Sequence, residues 1–75
     1  MYIIRHIGSR DFISGFKKRR GSQNPEPIWV EGWDNPEIRV YESEADALAD
    51  QELVRADGLI SYIENVTRTD LEKSK

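Results

Sequence analysis

The chain has 75 residues, with no Cys, one His, 11 Lys and Arg against 14 Asp and Glu, and a formal net charge of −3. Its length indicates one domain, and the absence of Cys excludes thiolate chemistry and Cys-based zinc or iron–sulfur sites. No apolar run approaches the roughly 20 residues of a membrane span, so we expect a cytoplasmic protein with no membrane partner.

Short β-branched and aromatic runs predict a first hairpin near the start of the chain. Residues 2–7 form its first strand, residues 8–10 a tight turn and residues 11–16 its second strand. Period-two alternation places Phe12 and Phe16 on one face, and the glycine before Phe16 marks a candidate bulge.

Residues 17–27 (KKRRGSQNPEP) contain no apolar side chain and predict a mobile basic loop. Its four consecutive cations are Lys17, Lys18, Arg19 and Arg20. Two interpretations stay open for this run: a solvated loop, or contact with nucleic-acid phosphate or an acidic protein surface. Residues 1–20 carry a net charge of +5 and residues 21–75 carry −8, which predicts either internal pairing or a dipolar surface.

A turn signal at residues 34–37 separates two further runs that predict a second hairpin. The two predicted strands are residues 28–33 and 38–41. Period two places Trp29 and Trp33 on one face and Ile28 and Val30 on the other. We expect the isoleucine and valine to pack under a helix, which leaves the two indoles partly exposed as partner-binding anchors.

A helix is predicted over residues 44–57, with Ser43 as its N-cap and Gly58 as its stop. Its apolar stripe at helical spacing consists of Ala45, Leu48, Ala49, Leu53 and Ala56. A last strand follows over residues 59–67, parallel or antiparallel to its partner. The sequence thus predicts an α+β fold: a small, mostly antiparallel sheet of order β-β-β-β-α-β with one helix packed on one face. The domain spans residues 1–68, and residues 69–75 are a disordered polar tail.

The sequence offers no set of residues for catalysis. His6 lies within a predicted strand and is interpreted as a half-buried histidine, because no second His completes a metal site. Carboxylates gather around the predicted helix N-terminus, where the helix dipole favours negative charge. We therefore predict no enzyme activity and no catalytic, cofactor-binding or metal-binding residues.

One stretch of the chain follows a familiar pattern of a Trp, an aromatic-ended strand, a Ser cap and an Ala-rich helix. The residues that carry it are Trp33, Val40, Tyr41, Ser43 and Ala47. Over about residues 28–50 the chain resembles small phage and prophage accessory proteins. The resemblance implies an accessory protein that binds and inhibits a host factor, and it supplies no catalytic residues.

Together these features predict a non-enzymatic protein-interaction module, of the type of a phage regulator or inhibitor that occludes a host protein complex. Trp29 and Trp33 are its predicted apolar anchors, and Lys17, Lys18, Arg19 and Arg20 form its predicted electrostatic rim. The alternative is an accessory protein that contacts nucleic acid through the basic loop 17–20. A homodimer that pairs sheet edges is also open to so small a domain.

Overall fold

A computed structural model describes residues 1–21 and 23–67, so the predicted tail at residues 69–75 lies outside the described residues. The elements in chain order are β1 (Tyr2–His6), β2 (Phe12–Lys17), β3 (Glu26–Val30), α1 (Glu44–Ala56) and β4 (Ser61–Asn65). The strands form one antiparallel sheet of order β3-β2-β1-β4, and α1 packs on one of its faces. The predicted α+β class with a single helix is confirmed, and the last strand is antiparallel to β1.

Both faces of the sheet are covered, although only one carries a helix. Consecutive residues of β1 point to opposite faces, and both Ile3 and Ile4 are fully buried. The buried residues on the helix face are Ile4, Ile13, Tyr41, Ala47 and Val54. The buried residues on the opposite face, called the helix-free face below, are Ile3, Phe12, Ile38 and Val66.

A bulge in β2 corrects the predicted sharing of one face by Phe12 and Phe16. The pairing between β2 and β3 shifts register between Ile13 and Gly15, so one extra residue lies in β2. Because the extra residue reverses the alternation, Phe12 packs on the helix-free face and Phe16 packs on the helix face. The sequence therefore located the bulge but not its effect on the phenylalanines.

The predicted second hairpin does not form. Residues 38–41 do not pair with β3. The Arg39 N–H donates to the Ile13 carbonyl at 2.9 Å, and Tyr41 exchanges two backbone hydrogen bonds of 2.8 Å with Tyr2. The segment thus lies beside β2 and β1, with an isolated bridge at Tyr41. The preceding loop crosses the helix-free face, where burial of Ile38 beside Phe12 takes the place of pairing with β3.

The helix packs on the sheet through the side opposite to the predicted apolar stripe. Its buried side chains are Ala47 and Val54, and the polar residues between them are hydrogen-bonded. The Tyr41 hydroxyl donates to Asp50 Oδ2 at 2.5 Å, and Gln51 Nε2 donates to the Ser61 carbonyl at 3.1 Å. Of the predicted stripe, Leu53 is half-buried, and the exposed members are Ala45, Leu48, Ala49 and Ala56.

Both predicted helix ends are confirmed. The Ser43 hydroxyl accepts a hydrogen bond of 3.2 Å from the Asp46 N–H, as an N-cap does. Gly58 has a φ of +83°, which favours glycine, and its N–H donates to the Arg55 carbonyl. The Leu59 N–H donates to the Val54 carbonyl, which completes a Schellman motif. The caps fix where the chain leaves α1 and enters β4.

The hydrogen bond from Tyr41 to Asp50 predicts a stability that falls at alkaline pH. Burial, followed by the contact with Asp50, raises the pKa of Tyr41 above its ordinary value of 10.0. The unfolded chain therefore loses this proton at a lower pH than the folded chain, and the contribution of the group is lost as pH rises above about 10. Tyr41→Phe should cost about 1 kcal/mol of unfolding free energy at neutral pH.

Urea denaturation across the alkaline range measures this effect. The difference in unfolding free energy between wild type and Tyr41→Phe should shrink above about pH 10. Tyr62→Phe is the control, because the Tyr62 hydroxyl makes no hydrogen bond with the described residues. A Tyr41→Phe variant as stable as wild type at neutral pH would contradict the interpretation.

Candidate functional site on the helix-free face

The two tryptophans do not share a surface. β3 ends at Val30, and the chain turns at Gly32 with a φ of +89°, so Trp33 is not part of the strand. Trp29 packs against the helix face, and Trp33 packs against the helix-free face together with Val30. Contrary to the expected arrangement, Trp29 lies on the side of the helix, Val30 lies on the opposite side and Ile28 is exposed.

Arg5 is the centre of the helix-free face. Its guanidinium carbon lies 4.4 Å from the ring centre of Phe12, 4.8 Å from that of Trp33 and 5.9 Å from that of Tyr62. The rings of Phe12 and Trp33 also contact each other edge to face, with centroids 4.8 Å apart. Only 13% of the Arg5 side chain is exposed, so the cation–π contacts act in a largely desolvated setting.

The same guanidinium fixes the turn between β1 and β2. Its Nε and Nη2 donate to the Arg10 carbonyl at 3.1 and 2.9 Å, and its Nη1 lies 3.3 Å from Glu64 Oε1. Arg10 has a φ of +63°, a left-handed conformation that costs a non-glycine residue about 1 kcal/mol. The two hydrogen bonds offset this cost, so Arg5 ties the turn to the face of the sheet.

Two exposed isoleucines extend this face. The Ile7 N–H donates to the Ile60 carbonyl at 3.1 Å, which continues the ladder between β1 and β4. Alternation continued from Arg5 and Tyr62 assigns both isoleucines to the helix-free side, one residue beyond the ends of β1 and β4. Ile60 also lines a cavity of about 260 Å³ together with Gln51, Glu52 and Arg55 of α1. Ile7 and Ile60 are 57% and 67% exposed, the highest values among the large apolar side chains that the structure describes. The result is an apolar cross-strand pair beside Tyr62 and Arg5.

The basic run is partly neutralised by internal ion pairs. Lys17 Nζ lies 3.1 Å from Glu26 Oε2, and Arg19 Nη1 lies 2.5 Å from Asp57 Oδ1. The hydrogen bond to Asp57 is the largest influence that raises the pKa of Arg19. Lys17 belongs to β2, and residues 26 and 27 of the predicted loop belong to β3.

Lys18 and Arg20 are exposed and make no ion pair with the described residues. The structure therefore separates the predicted cationic rim into an internally paired half and a free half. The partners of the paired half are Glu26 of β3 and Asp57, which follows the last residue of α1.

A second concave region lies between α1 and the segment before it. It is an open groove of about 520 Å³, and the residues that line it are Arg39, Val40, Tyr41, Glu42, Asp46, Ala49 and Asp50. Arg39 Nε lies 3.6 Å from Asp50 Oδ2, so the Asp50 carboxylate already has two partners, Arg39 and Tyr41. Within residues 1–21 and 23–67, no group of three His, Asp or Glu side chains is placed to hold a metal ion.

The described part of the chain contains no helix with the length and apolar character of a membrane span. Comparison of the chain with protein-family models, with curated proteins and with solved structures gives no match. The candidate site is therefore defined by its own geometry.

Sequence reasoning missed Arg5, Ile7 and Ile60 as members of the site. A signal was present at Arg5, because a charged residue between apolar neighbours in a central strand requires partners on its own face. The sequence predicts both isoleucines as strand residues, in the runs 2–7 and 59–67, and gives no sign that their side chains are exposed. Ile7 lies one residue after the end of β1, and Ile60 lies one residue before the start of β4.

Replacement of Arg5 by Ala should lower the unfolding free energy by about 2 kcal/mol, because it removes two hydrogen bonds and the ring contacts. Urea denaturation followed by far-UV circular dichroism measures the loss. Arg55→Ala is the control, since the Arg55 side chain is 80% exposed and should change stability little. Equal losses for the two variants would refute a central role of Arg5.

Proposed function

We propose that this chain is a non-enzymatic protein-interaction module that binds and occludes another protein through its helix-free face. The observation that carries the proposal is the exposed cross-strand pair of Ile7 and Ile60. Contiguous exposed apolar surface beside aromatic and Arg side chains is typical of protein interfaces. Trp33 stays in the proposed surface, as a half-buried member beside Arg5.

Contacts of the Arg5 side chain hold the proposed surface in place. Arg5 is held by ring contacts on its own face, and its hydrogen bonds to Arg10 fix the turn next to Ile7. A preorganised surface loses little conformational freedom on association, which favours binding. Arg10 is exposed and Glu64 forms an ion pair with Arg5, so polar groups flank the aromatic cluster around Arg5. The proposal that the partner is a host factor rests on the resemblance over residues 28–50 alone.

The proposed surface predicts a specific loss of partner binding. Ile7→Ser with Ile60→Ser removes exposed apolar area worth about 1 kcal/mol at each position. Partner affinity should therefore fall about 30-fold, while the fold is kept because both side chains are more than half exposed. Val40→Ser is the matched control, because Val40 is an exposed apolar residue in the groove between α1 and the segment before it.

Affinity capture with mass spectrometry, followed by titration of the captured protein, compares the three chains. A partner that binds wild type and Val40→Ser but not the double variant supports the proposal. A partner that binds all three equally refutes the surface. Substitution of Trp29 or Trp33 is a weaker test, because both indoles pack against buried clusters and their loss would affect stability.

Contact with nucleic acid is the second candidate function, and the free cations Lys18 and Arg20 favour it. Two phosphate contacts give a weak interaction whose affinity falls with salt. Nuclease treatment before capture separates the two functions, because a protein partner survives it and a nucleic-acid partner does not.

A further inference from the structure

The outer side of β4 is an unpaired edge of the sheet. β4 is the last strand in the order β3-β2-β1-β4, and in the described part of the chain no strand or bridge pairs with its outer side. On the inner side, the Ile7 N–H donates to the Ile60 carbonyl and the Val66 N–H donates to the Met1 carbonyl. Because hydrogen-bonded and non-hydrogen-bonded pairs alternate, the even-numbered residues of β4 bond to β1 and the odd-numbered residues point their backbone groups outward.

The outward backbone groups belong to Ser61, Ile63 and Asn65. Gln51 Nε2 donates to the Ser61 carbonyl at 3.1 Å and so occupies one end of the edge. Among the described residues, this leaves the Ser61 N–H and both backbone groups of Ile63 and Asn65 for a further strand. A row of this kind is a template for pairing with another chain.

The opposite edge of the sheet is protected against such pairing. β3 contains Pro27, which has no N–H to donate, and β2 beside it carries the bulge. Lys17 and Glu26 add a partly exposed ion pair at the start of β3. β4 (SYIEN) contains no Pro, Gly or Lys, and the carboxylate of Glu64 is paired with Arg5. Of the two edges, β4 is therefore the one open to a further strand.

We propose that the outer edge of β4 pairs antiparallel with β4 of a second copy of this chain, with the two Ile63 residues at a two-fold axis. The two Ile63 residues then exchange two backbone hydrogen bonds, and each Ser61 N–H donates to the Asn65 carbonyl of the other copy. The two sheets become one continuous sheet with both helices on the same face. This dimer uses backbone groups at an edge, so it does not rest on the proposed function of the helix-free face.

A second copy fits this edge because the side chains of β4 complement themselves in this register. On the helix-free face, Tyr62 of each copy lies opposite Glu64 of the other. The two carboxylates, each paired with its own Arg5, therefore do not face each other. On the helix face, Ile63 lies opposite Ile63 and Ser61 lies opposite Asn65. The register thus places no like charges opposite each other.

The position of α1 is compatible with this pairing. α1 contacts both β4 and β1, and neighbouring strands lie about 4.8 Å apart, so the two helices would lie about 10 Å from each other. Helices pack side by side at about 8–10 Å. Glu52 and Arg55 line a cavity together with Ser61, so their side of α1 borders β4. The exposed Leu48 lies one turn before Glu52, and this side therefore offers the second helix an apolar group and one charge of each sign.

The dimer should be weak and dependent on concentration. A ladder of five residues buries less than the roughly 1,200 Å² of a stable complex, so we expect a dissociation constant of about 0.1 mM. Sedimentation velocity of the full chain should show mostly monomer at about 20 μM and mostly dimer at about 1 mM.

Amide hydrogen exchange, measured by nuclear magnetic resonance at both concentrations, identifies the edge. The N–H groups of Tyr62 and Glu64 bond to β1 and should be protected at both concentrations. The Ile63 N–H should exchange rapidly in the monomer and about fivefold more slowly at the higher concentration, because only the second copy supplies its acceptor.

Two double variants at the same positions test the register. Ser61→Lys with Asn65→Lys places like charges opposite each other twice and should weaken the dimer about fivefold. Ser61→Glu with Asn65→Lys places opposite charges at the same two contacts and should strengthen it about fivefold. Within one copy the two positions are about 13 Å apart along the strand, so they do not contact each other. Far-UV circular dichroism checks that both variants keep the fold.

The proposal is overturned if the chain stays monomeric up to about 1 mM, or if a dimer forms without slower exchange at Ile63. It is also overturned if the Ile63 N–H already exchanges slowly in the monomer, since the edge is then covered within one chain. Equal effects of the two double variants on the dimer would reject the register. Ile7→Ser is the control for the proposed binding surface and should leave the dimer unchanged.

Discussion

The desolvated guanidinium of Arg5 is the interaction on which the helix-free face depends. A sheet with one helix has a second apolar face that must be covered, and here a loop and a cation cover it. Arg5 lies over Phe12 and Trp33, neutralises Glu64 and satisfies the Arg10 carbonyl. The Arg5 side chain thus contacts the loop through Trp33, the edge strand β4 through Glu64 and the turn through Arg10. Without Arg5, the rings of Phe12 and Trp33 would lose their cation–π contacts.

Two adjacent residues of β1 hold the same turn from opposite faces. Arg5 binds the carbonyl of Arg10, and His6 binds the N–H groups of Gly8 and Ser9. The turn is therefore held from both faces of the sheet, and the most exposed apolar pair of the described chain lies directly beside it.

Local signals predicted the elements that depend on local interactions. Ser43 and Gly58 marked the helix ends correctly, because caps are formed by residues close in sequence. The buried side of α1 could not be predicted, because it depends on contacts between residues distant in sequence. Ala47 and Val54 are buried against the sheet, and the same side forms hydrogen bonds with Tyr41 and Ser61. The faces of the tryptophans likewise depend on where β3 ends. The charge asymmetry predicted either internal pairing or a dipolar surface, and the ion pair between Arg19 and Asp57 is an internal pairing of this kind.

The environment of the Arg5 side chain tests this account most directly, by nuclear magnetic resonance of its Nε–H and Cδ protons. The rings of Phe12 and Trp33 should shift these protons far from their values in an unfolded chain, and the hydrogen bond to Arg10 should slow Nε–H exchange. Unshifted Cδ protons with rapid Nε–H exchange would place the guanidinium in solvent and contradict the account.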